Sequence, residues 1–256
     1  MGAWGTFCEI AVLQALPAAP RLALRAKAKP YERLRATITG FATIECRKGI
    51  VQIVCLDMEG VLVPEIWIAF AERTGIPELR RTTRDEPNYD TLMQYRLAIL
   101  REHKLGLPDI QKVIGEMGPM EGCVAFLDGL RRDYQVVILS DTFYEFAKPL
   151  MAQMGQPTLF CHRLEADANG MLVNYHLRMP DQKRHAVEAF KRLNFKVIAA
   201  GDSYNDTAML GAADAGILMH PPENVVREFP QYPVVRSYAD LRAEIDRASV
   251  RIGEGA

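Results

Sequence analysis

Five short apolar runs, separated by stretches of helical periodicity, limit the fold of this chain more than any other feature of its sequence. They are rich in Val, Ile and Leu, which is typical of parallel strands that are buried on both faces of a sheet. The runs are 53–56, 136–139, 197–200, 215–219 and 234–236. Because strands and helices alternate, we predict an α/β fold with a doubly wound, Rossmann-like core.

The gap between the first two runs is much longer than a simple crossover requires. Its apolar residues recur at helical spacing, so we predict a small helical cap domain at 65–132, inserted after the first strand of a core at 51–64 and 133–256. The candidate helices of the insertion are 65–74, 90–102, 108–117 and 121–132.

A further element is predicted after the second run. Between 158 and 178, alternating runs flank Asn169-Gly170, which predicts a strand pair or β-hairpin.

The first fifty residues differ from the rest in charge. They hold eight Lys/Arg and three acids, a net charge of +5, whereas the remainder holds 23 and 29, a net charge of −6. A targeting peptide is one interpretation, although the segment contains no serine. The other is that residues 1–50 do not belong to the natural protein and that it begins at Val51, since a GUG start codon would be read as valine.

Composition excludes several classes of function. A formal net charge of −1 shows no bulk preference for nucleic acid or an anionic membrane. No apolar run reaches the roughly 18 residues of a membrane span. Five cysteines without metal-site spacing indicate a reducing compartment. We therefore expect a cytoplasmic protein whose partner is a small molecule, while the oligomeric state stays open.

Two acids directly follow the first run. Asp57, at the tip of a strand, could attack phosphorus and form an aspartyl phosphate. Glu59, two residues on, would point from the same side of the extended chain and could exchange protons with the leaving group and with water. The alternative is that both acids lie in a polar loop without a chemical role.

Two further motifs supply candidate phosphate ligands. Ser140 follows the second run and offers a hydroxyl, to which the amides of Asp141 and Thr142 could add if they form a nest. Lys183, at the start of a helix, could neutralise charge shared by Asp57 and a phosphoryl group. A helix cap and a solvated lysine are the simpler interpretations.

A fourth motif predicts a metal site. Asp202 follows the third run, and Asp206 lies four residues on. Carboxylate oxygens suit Mg²⁺, so we expect Asp57, Asp202 and the backbone carbonyl of Glu59 to coordinate it. Asp206 would lie just outside these ligands or act only as a helix N-cap, and Asn205 would face the substrate.

The order of these motifs resembles the haloacid dehalogenase superfamily of phosphotransferases, and the helical insertion resembles the cap of its phosphoserine phosphatase branch. The stretches 57–67 and 201–206 are similar to the bifunctional phosphoserine phosphatase/homoserine phosphotransferase group. This resemblance implies Mg²⁺-dependent hydrolysis of O-phospho-L-serine and phosphoryl transfer to L-homoserine. The chain departs from the usual pattern of the superfamily by carrying Glu59 for Asp and Gly60 for Ser or Thr.

The insertion contains a candidate pair for an amino-acid substrate. Arg96 falls on an apolar helical stripe and could bind a carboxylate, and Glu65 could pair with an ammonium group. A snorkelling arginine or a structural bridge between Arg96 and Glu65 would explain the same pattern. The resemblance favours the binding roles. A phosphoacceptor signalling module or a binding protein on this fold are the competing functions.

Overall fold

Seven strands of the computed structural model form one sheet, in the order β4-β3-β2-β1-β5-β6-β7. The structure describes residues 51–82, 85–86 and 88–254. The strands are β1 (Gln52–Leu56), β2 (Gln135–Phe143), β3 (Thr158–Ala166), β4 (Leu172–His176), β5 (Lys196–Gly201), β6 (Ala215–Met219) and β7 (Val234–Val235). The α/β fold class is confirmed, whereas the two interpretations of residues 1–50 lie outside the described residues.

Nine α-helices accompany the sheet in the described part of the chain. The first four of these α-helices lie between β1 and β2, as the helical periodicity predicts. The nine α-helices are α1 (Ile66–Thr74), α2 (Tyr89–Glu102), α3 (Leu107–Met117), α4 (Cys123–Asp133), α5 (Tyr144–Gln153), α6 (Gln182–Arg192), α7 (Thr207–Ala212), α8 (Glu223–Glu228) and α9 (Tyr238–Glu254). Within the described ranges, none of these helices is long and apolar enough to span a bilayer.

The two faces of the sheet explain why the runs are apolar throughout. Successive residues of a strand point to opposite faces. In β1, Val54 and Leu56 belong to one buried cluster, and Ile53 and Cys55 belong to the other. Helices cover both faces, so residues 53–56 of the strand are all buried and none of them needs to be polar.

The hairpin is confirmed, but its place in the sheet could not be predicted. β3 and β4 pair in antiparallel fashion, and β3 also pairs in parallel with β2. The hairpin therefore extends the central sheet instead of lying apart from it. β2 is longer than expected as well, because it continues to Phe143 through a shift in its register with β3.

The inserted helices are tied to the core by hydrogen bonds. The amide of Leu107 at the start of α3 donates to the Gly170 carbonyl of the hairpin at 2.7 Å, and the Tyr175 hydroxyl donates to Asp90 of α2 at 2.7 Å. By contrast, α4 packs on the core, where Phe126 stacks on Tyr238 of α9 at 4.8 Å. The division into a cap and a core at the stated boundaries remains a prediction.

Two glycines of the helices should respond oppositely to replacement by alanine. Gly75 ends α1 with φ +70°, whereas Gly129 lies inside α4, and an added Cβ would meet no atom within 4 Å at either site. We expect Gly75→Ala to lower the free energy of unfolding by about 1 kcal/mol or more, because a Cβ disfavours the left-handed conformation. Gly129→Ala should raise it by about 0.5–1 kcal/mol.

Urea unfolding of both variants at one pH measures the two changes. A shift of the same sign in both variants would contradict this assignment of the two backbone conformations.

Candidate active site

The loop after β1 is folded tightly by its own backbone. The amide of Asp57 donates to the Ala200 carbonyl at 2.9 Å and continues the sheet by one residue. The amides of Gly60 and Val63 then donate to the carbonyls of Val63 and Met58 at 2.9 and 3.0 Å. This closed turn brings the backbone of the loop beside Asp202, which follows β5.

Glycine is required at position 60 for two reasons. Its φ of +77° is unfavourable for other residues, and a Cβ there would lie 2.5 Å from Oδ2 of Asp202. The backbone of the loop therefore lies directly against the Asp202 carboxylate.

The buried Lys183 connects an acid of the loop after β1 with an acid of the turn after β5. Nζ of Lys183 lies 2.8 Å from Oδ1 of Asp57 and 2.8 Å from Oδ1 of Asp206, and all three side chains are buried. The interpretation of Lys183 as a solvated lysine is therefore wrong. Burial disfavours its charge, but Asp206 and Asp57 hold the pKa of Lys183 well above its ordinary value.

Asp206 is more than a helix N-cap. Its side chain makes no capping bond to α7. Its Oδ2 instead accepts hydrogen bonds from the amides of Asp202 and Ser203 at 2.9 and 3.1 Å, while Oδ1 accepts from Lys183. Its Oδ2 thus fixes the turn that presents Asp202, and its Oδ1 ties that turn to Lys183 of α6.

Three carboxylates form a candidate metal site. Ligand oxygens of Asp57, Asp202 and Asp206 lie within 4.8 Å of one another. Burial and then the nearby charge of Asp206 raise the pKa of Asp57 well above its ordinary value. The same two causes raise the pKa of Asp202 to about 7. Such crowding of negative charge would be relieved by a divalent cation, and carboxylate oxygens are the ligands that Mg²⁺ prefers.

Glu59 lies at the junction of the loop and α1. Its Oε2 accepts a hydrogen bond at 2.9 Å from the amide of Ile66, the first residue of α1. Burial, together with the nearby charge of Glu65, raises the pKa of Glu59 to about 7. A carboxyl group with such a pKa can both donate and accept a proton near neutral pH.

The second motif lies within β2 rather than after it. Ser140 is buried, and its hydroxyl accepts a hydrogen bond from the Thr142 amide at 3.3 Å. Because β2 remains extended through Asp141 and Thr142, the expected nest is not formed. The register shift between β2 and β3 explains this, since it lets the strand pass the motif without turning into a loop.

Asp141 is surrounded by nitrogen donors. Its carboxylate lies 3.6 Å from Nζ of Lys183, 3.6 Å from Nε2 of His162 and 3.5 Å from Nε2 of Gln182. Burial opposes its charge, yet Lys183 and His162 hold the pKa of Asp141 below its ordinary value. We assigned no role to His162 from the sequence, because nothing in its spacing indicated that the hairpin would bring it here.

Arg96 is buried, with only 6% of its surface exposed, so the snorkelling interpretation is wrong. Its guanidinium lies over the ring of Trp67 at 4.4 Å, and Nη2 donates to the Arg81 carbonyl at 2.7 Å. Its buried Nε has no hydrogen-bond partner, and within the described residues Arg96 forms no ion pair with Glu65, which is exposed. A buried donor without an acceptor fits a site for a carboxylate ligand.

One residue of this region received no role from the sequence analysis. Tyr89 begins α2 on the face that carries Arg96, and its apolar ring gave it the pattern of a core residue. It is only partly buried, and it packs edge-on against Tyr175 of the hairpin at 5.7 Å. Asn205, in contrast, is exposed on the turn after β5.

Comparisons with known proteins show what this chain is similar to. A model of the haloacid dehalogenase-like hydrolase family matches residues 51–214. A phosphoserine phosphatase of Pseudomonas syringae pv. tomato is 63% identical over 201 residues, which are 78% of this chain and 85% of that protein. Phosphoserine phosphatase ThrH of Pseudomonas aeruginosa is 63% identical over 200 residues, which are 78% of this chain and 98% of that protein.

Solved structures show the same fold. A substrate-bound phosphoserine phosphatase complex has a TM-score of 0.63 at 20% identity and covers 78% of this chain and 99% of its own. A phospho-aspartyl intermediate analogue of phosphoserine phosphatase has a TM-score of 0.62 at 18% identity, with coverage of 76% and 99%.

The acidic cluster predicts how stability depends on pH. Glu59 and Asp202 have folded-state pKa values of about 7, above their unfolded values of about 4. Their contribution to stability is therefore complete below about pH 4 and is lost as the pH rises through about 7. We expect the free energy of unfolding of the metal-free protein to fall between pH 5 and pH 8, and millimolar Mg²⁺ to restore it more at pH 8 than at pH 5.

Urea unfolding with EDTA or Mg²⁺ measures both effects. The Asp202→Asn variant is the control, and it should show a weaker pH dependence and a smaller effect of Mg²⁺. A flat metal-free profile, or equal effects of Mg²⁺ at both pH values, would show that the cluster does not carry this charge.

Proposed function

The chain belongs to the haloacid dehalogenase-like hydrolase family, and on that premise we propose that it hydrolyses O-phospho-L-serine to L-serine and phosphate through an aspartyl-phosphate intermediate. The observation that carries this proposal is the buried contact of Lys183 with both Asp57 and Asp206 beside Asp202. The names of the two relatives at 63% identity support the substrate.

In the first step, an oxygen of Asp57 attacks phosphorus, and the bond from phosphorus to the serine oxygen breaks. Glu59 gives its proton to the leaving alkoxide, for which a pKa of about 7 is suitable. The result is an aspartyl phosphate and free serine. Lys183 stabilises the negative charge shared by Asp57 and the phosphoryl group.

In the second step, Glu59, now a carboxylate, takes a proton from water as the water oxygen attacks phosphorus. The bond from phosphorus to Asp57 breaks, and phosphate and the free Asp57 carboxylate are formed. The hydroxyl of Ser140 donates to a phosphoryl oxygen in both steps, with Asp141 beside it. Asp57, Asp202 and the backbone carbonyl of Glu59 would hold Mg²⁺, which would neutralise charge on the phosphoryl oxygens.

The cap helices select an amino-acid substrate in this proposal. Arg96, with its unpartnered Nε, binds the α-carboxylate, and Glu65 pairs with the α-ammonium group. Asn205 contacts the substrate from the turn after β5. A buried arginine without a carboxylate partner supports this proposal, because leaving such a donor unpaired costs free energy that a ligand would recover.

L-Homoserine is a second acceptor for the phosphoryl group in this proposal. Water and an alcohol would attack the same aspartyl phosphate, so transfer needs no additional catalytic group. The proposed setting is the cytoplasm, and the three cysteines of the described residues, which are free and buried, are compatible with it.

The nucleophile is tested by Asp57→Asn. We expect the full chain to release phosphate from O-phospho-L-serine with Mg²⁺ but not with EDTA, and to form phosphohomoserine when L-homoserine is added. Asp57→Asn keeps a hydrogen-bonding side chain beside Lys183 but cannot attack phosphorus effectively, so kcat should fall roughly 10⁴-fold or more. A malachite-green assay and mass spectrometry measure the two products.

The exposed Asp128, which pairs with Arg131 on α4, provides a matched Asp→Asn control that should leave kcat unchanged. A folded parent without phosphoserine turnover would overturn the substrate, and an active Asp57→Asn variant would overturn the nucleophile.

The length of Glu59 is tested by Glu59→Asp. The variant withdraws the carboxyl group by about 1.5 Å, one carbon–carbon bond, so kcat should fall roughly 10²-fold and the ratio of hydrolysis to homoserine transfer should change. Product ratios at fixed homoserine concentration measure the effect. Equal ratios in the variant and the parent would refute a role of this length in the choice of acceptor.

Glu59→Gln is the control for proton transfer, since it keeps the length of the side chain without its acid. It should impair phosphoserine more than p-nitrophenyl phosphate, whose leaving group needs no proton.

A further inference from the structure

Tyr89 lies near the residues proposed to bind substrate, but the proposed mechanism gives it no role. It is the first residue of α2, and Arg96 lies seven residues on, two helical turns along the same face. Its ring contacts Tyr175 at 5.7 Å, and Tyr175 in turn contacts Phe143 at 6.3 Å, three residues after Ser140 on β2. Tyr89 therefore lies where the inserted helices meet the second motif.

The charges around the Tyr89 hydroxyl belong to the candidate site. Burial raises the pKa of Tyr89, Arg96 lowers it, and Asp141 and Glu59 raise it further. The phenol thus stays protonated at neutral pH and can donate a hydrogen bond to a ligand.

Tyr89 is only partly buried, and among the described residues its hydroxyl makes no hydrogen bond, whereas the hydroxyl of the adjoining Tyr175 donates to Asp90 at 2.7 Å. Nε of Arg96, by contrast, is buried and without a partner. Because Tyr89 lies on the helix face of Arg96, its hydroxyl is placed to add a hydrogen bond to a carboxylate that binds Nε.

We propose that Tyr89 is a specificity-determining residue whose hydroxyl donates a hydrogen bond to the substrate α-carboxylate, beside the guanidinium of Arg96. This inference rests on the proposed function, since it assumes a phosphorylated amino acid in the site. It adds a second donor to the carboxylate site. A carboxylate in a largely buried site needs several hydrogen bonds to offset the loss of water, and Arg96 already uses one of its nitrogens on the Arg81 carbonyl.

The test compares substrates with and without a carboxylate. Tyr89→Phe keeps the ring and removes only the donor. We expect kcat/KM for O-phospho-L-serine to fall roughly 10- to 100-fold, mainly through KM, because the lost hydrogen bond is to a charged group. O-Phosphoethanolamine and p-nitrophenyl phosphate lack the carboxylate, so their kcat/KM should change less than about twofold.

Tyr134→Phe is the matched control, since it removes a tyrosine hydroxyl that is bonded to Asp246 of α9 at 2.8 Å and has no part in the proposed site. It should not discriminate between the substrates. Combining Tyr89→Phe with Arg96→Lys should cost less than the sum of the two single changes, because both donors act on one carboxylate.

Three results would overturn the inference. They are an equal loss on all substrates, no loss on phosphoserine, and a loss confined to kcat. A parent that does not hydrolyse phosphoserine would overturn the proposed function itself, and this inference with it, so the activity of the parent separates the two failures.

Discussion

The buried ammonium group of Lys183 is the interaction on which the site depends. It comes from the first turn of α6 and lies 2.8 Å from a carboxylate after β1 and 2.8 Å from another after β5. Without this cation, the buried acids would repel one another and lose their solvation with no compensation, which typically costs several kcal/mol. One side chain therefore fixes the relative positions of three segments that are distant in the sequence.

Most of the fold could be predicted because its signals are local. Apolar runs predicted the central strands, and helical periodicity predicted α1–α4 with ends within two residues of those observed. The site motifs could be placed because the carboxyl ends of parallel strands share one edge of the sheet. Asp57, Lys183, Asp202 and Asp206 accordingly lie together, as the order of their motifs indicated.

The remaining features depend on pairing between distant strands, which no local pattern encodes. Nothing in the hairpin sequence shows that β3 pairs with β2, yet this pairing brings His162 to Asp141. The same register shift keeps Ser140 inside an extended strand. The role proposed for Tyr89 could not be predicted for a different reason, because an aromatic ring at helical spacing has the same pattern whether its hydroxyl is in the core or at a ligand.

The hairpin has a consequence for how substrate preference could diverge within this fold. The amide of Leu107 and the side chain of Asp90 are hydrogen-bonded to β3–β4 and its turn, so the helix that carries Arg96 is positioned by the hairpin. Asp57, the proposed nucleophile, is in contrast positioned by β1 and β5. Substitutions in β4 and in the turn of the hairpin can therefore alter which ester the proposed site holds, while β1 and β5 still position Asp57. Selection can act on the choice of substrate and on the chemistry as two separable traits.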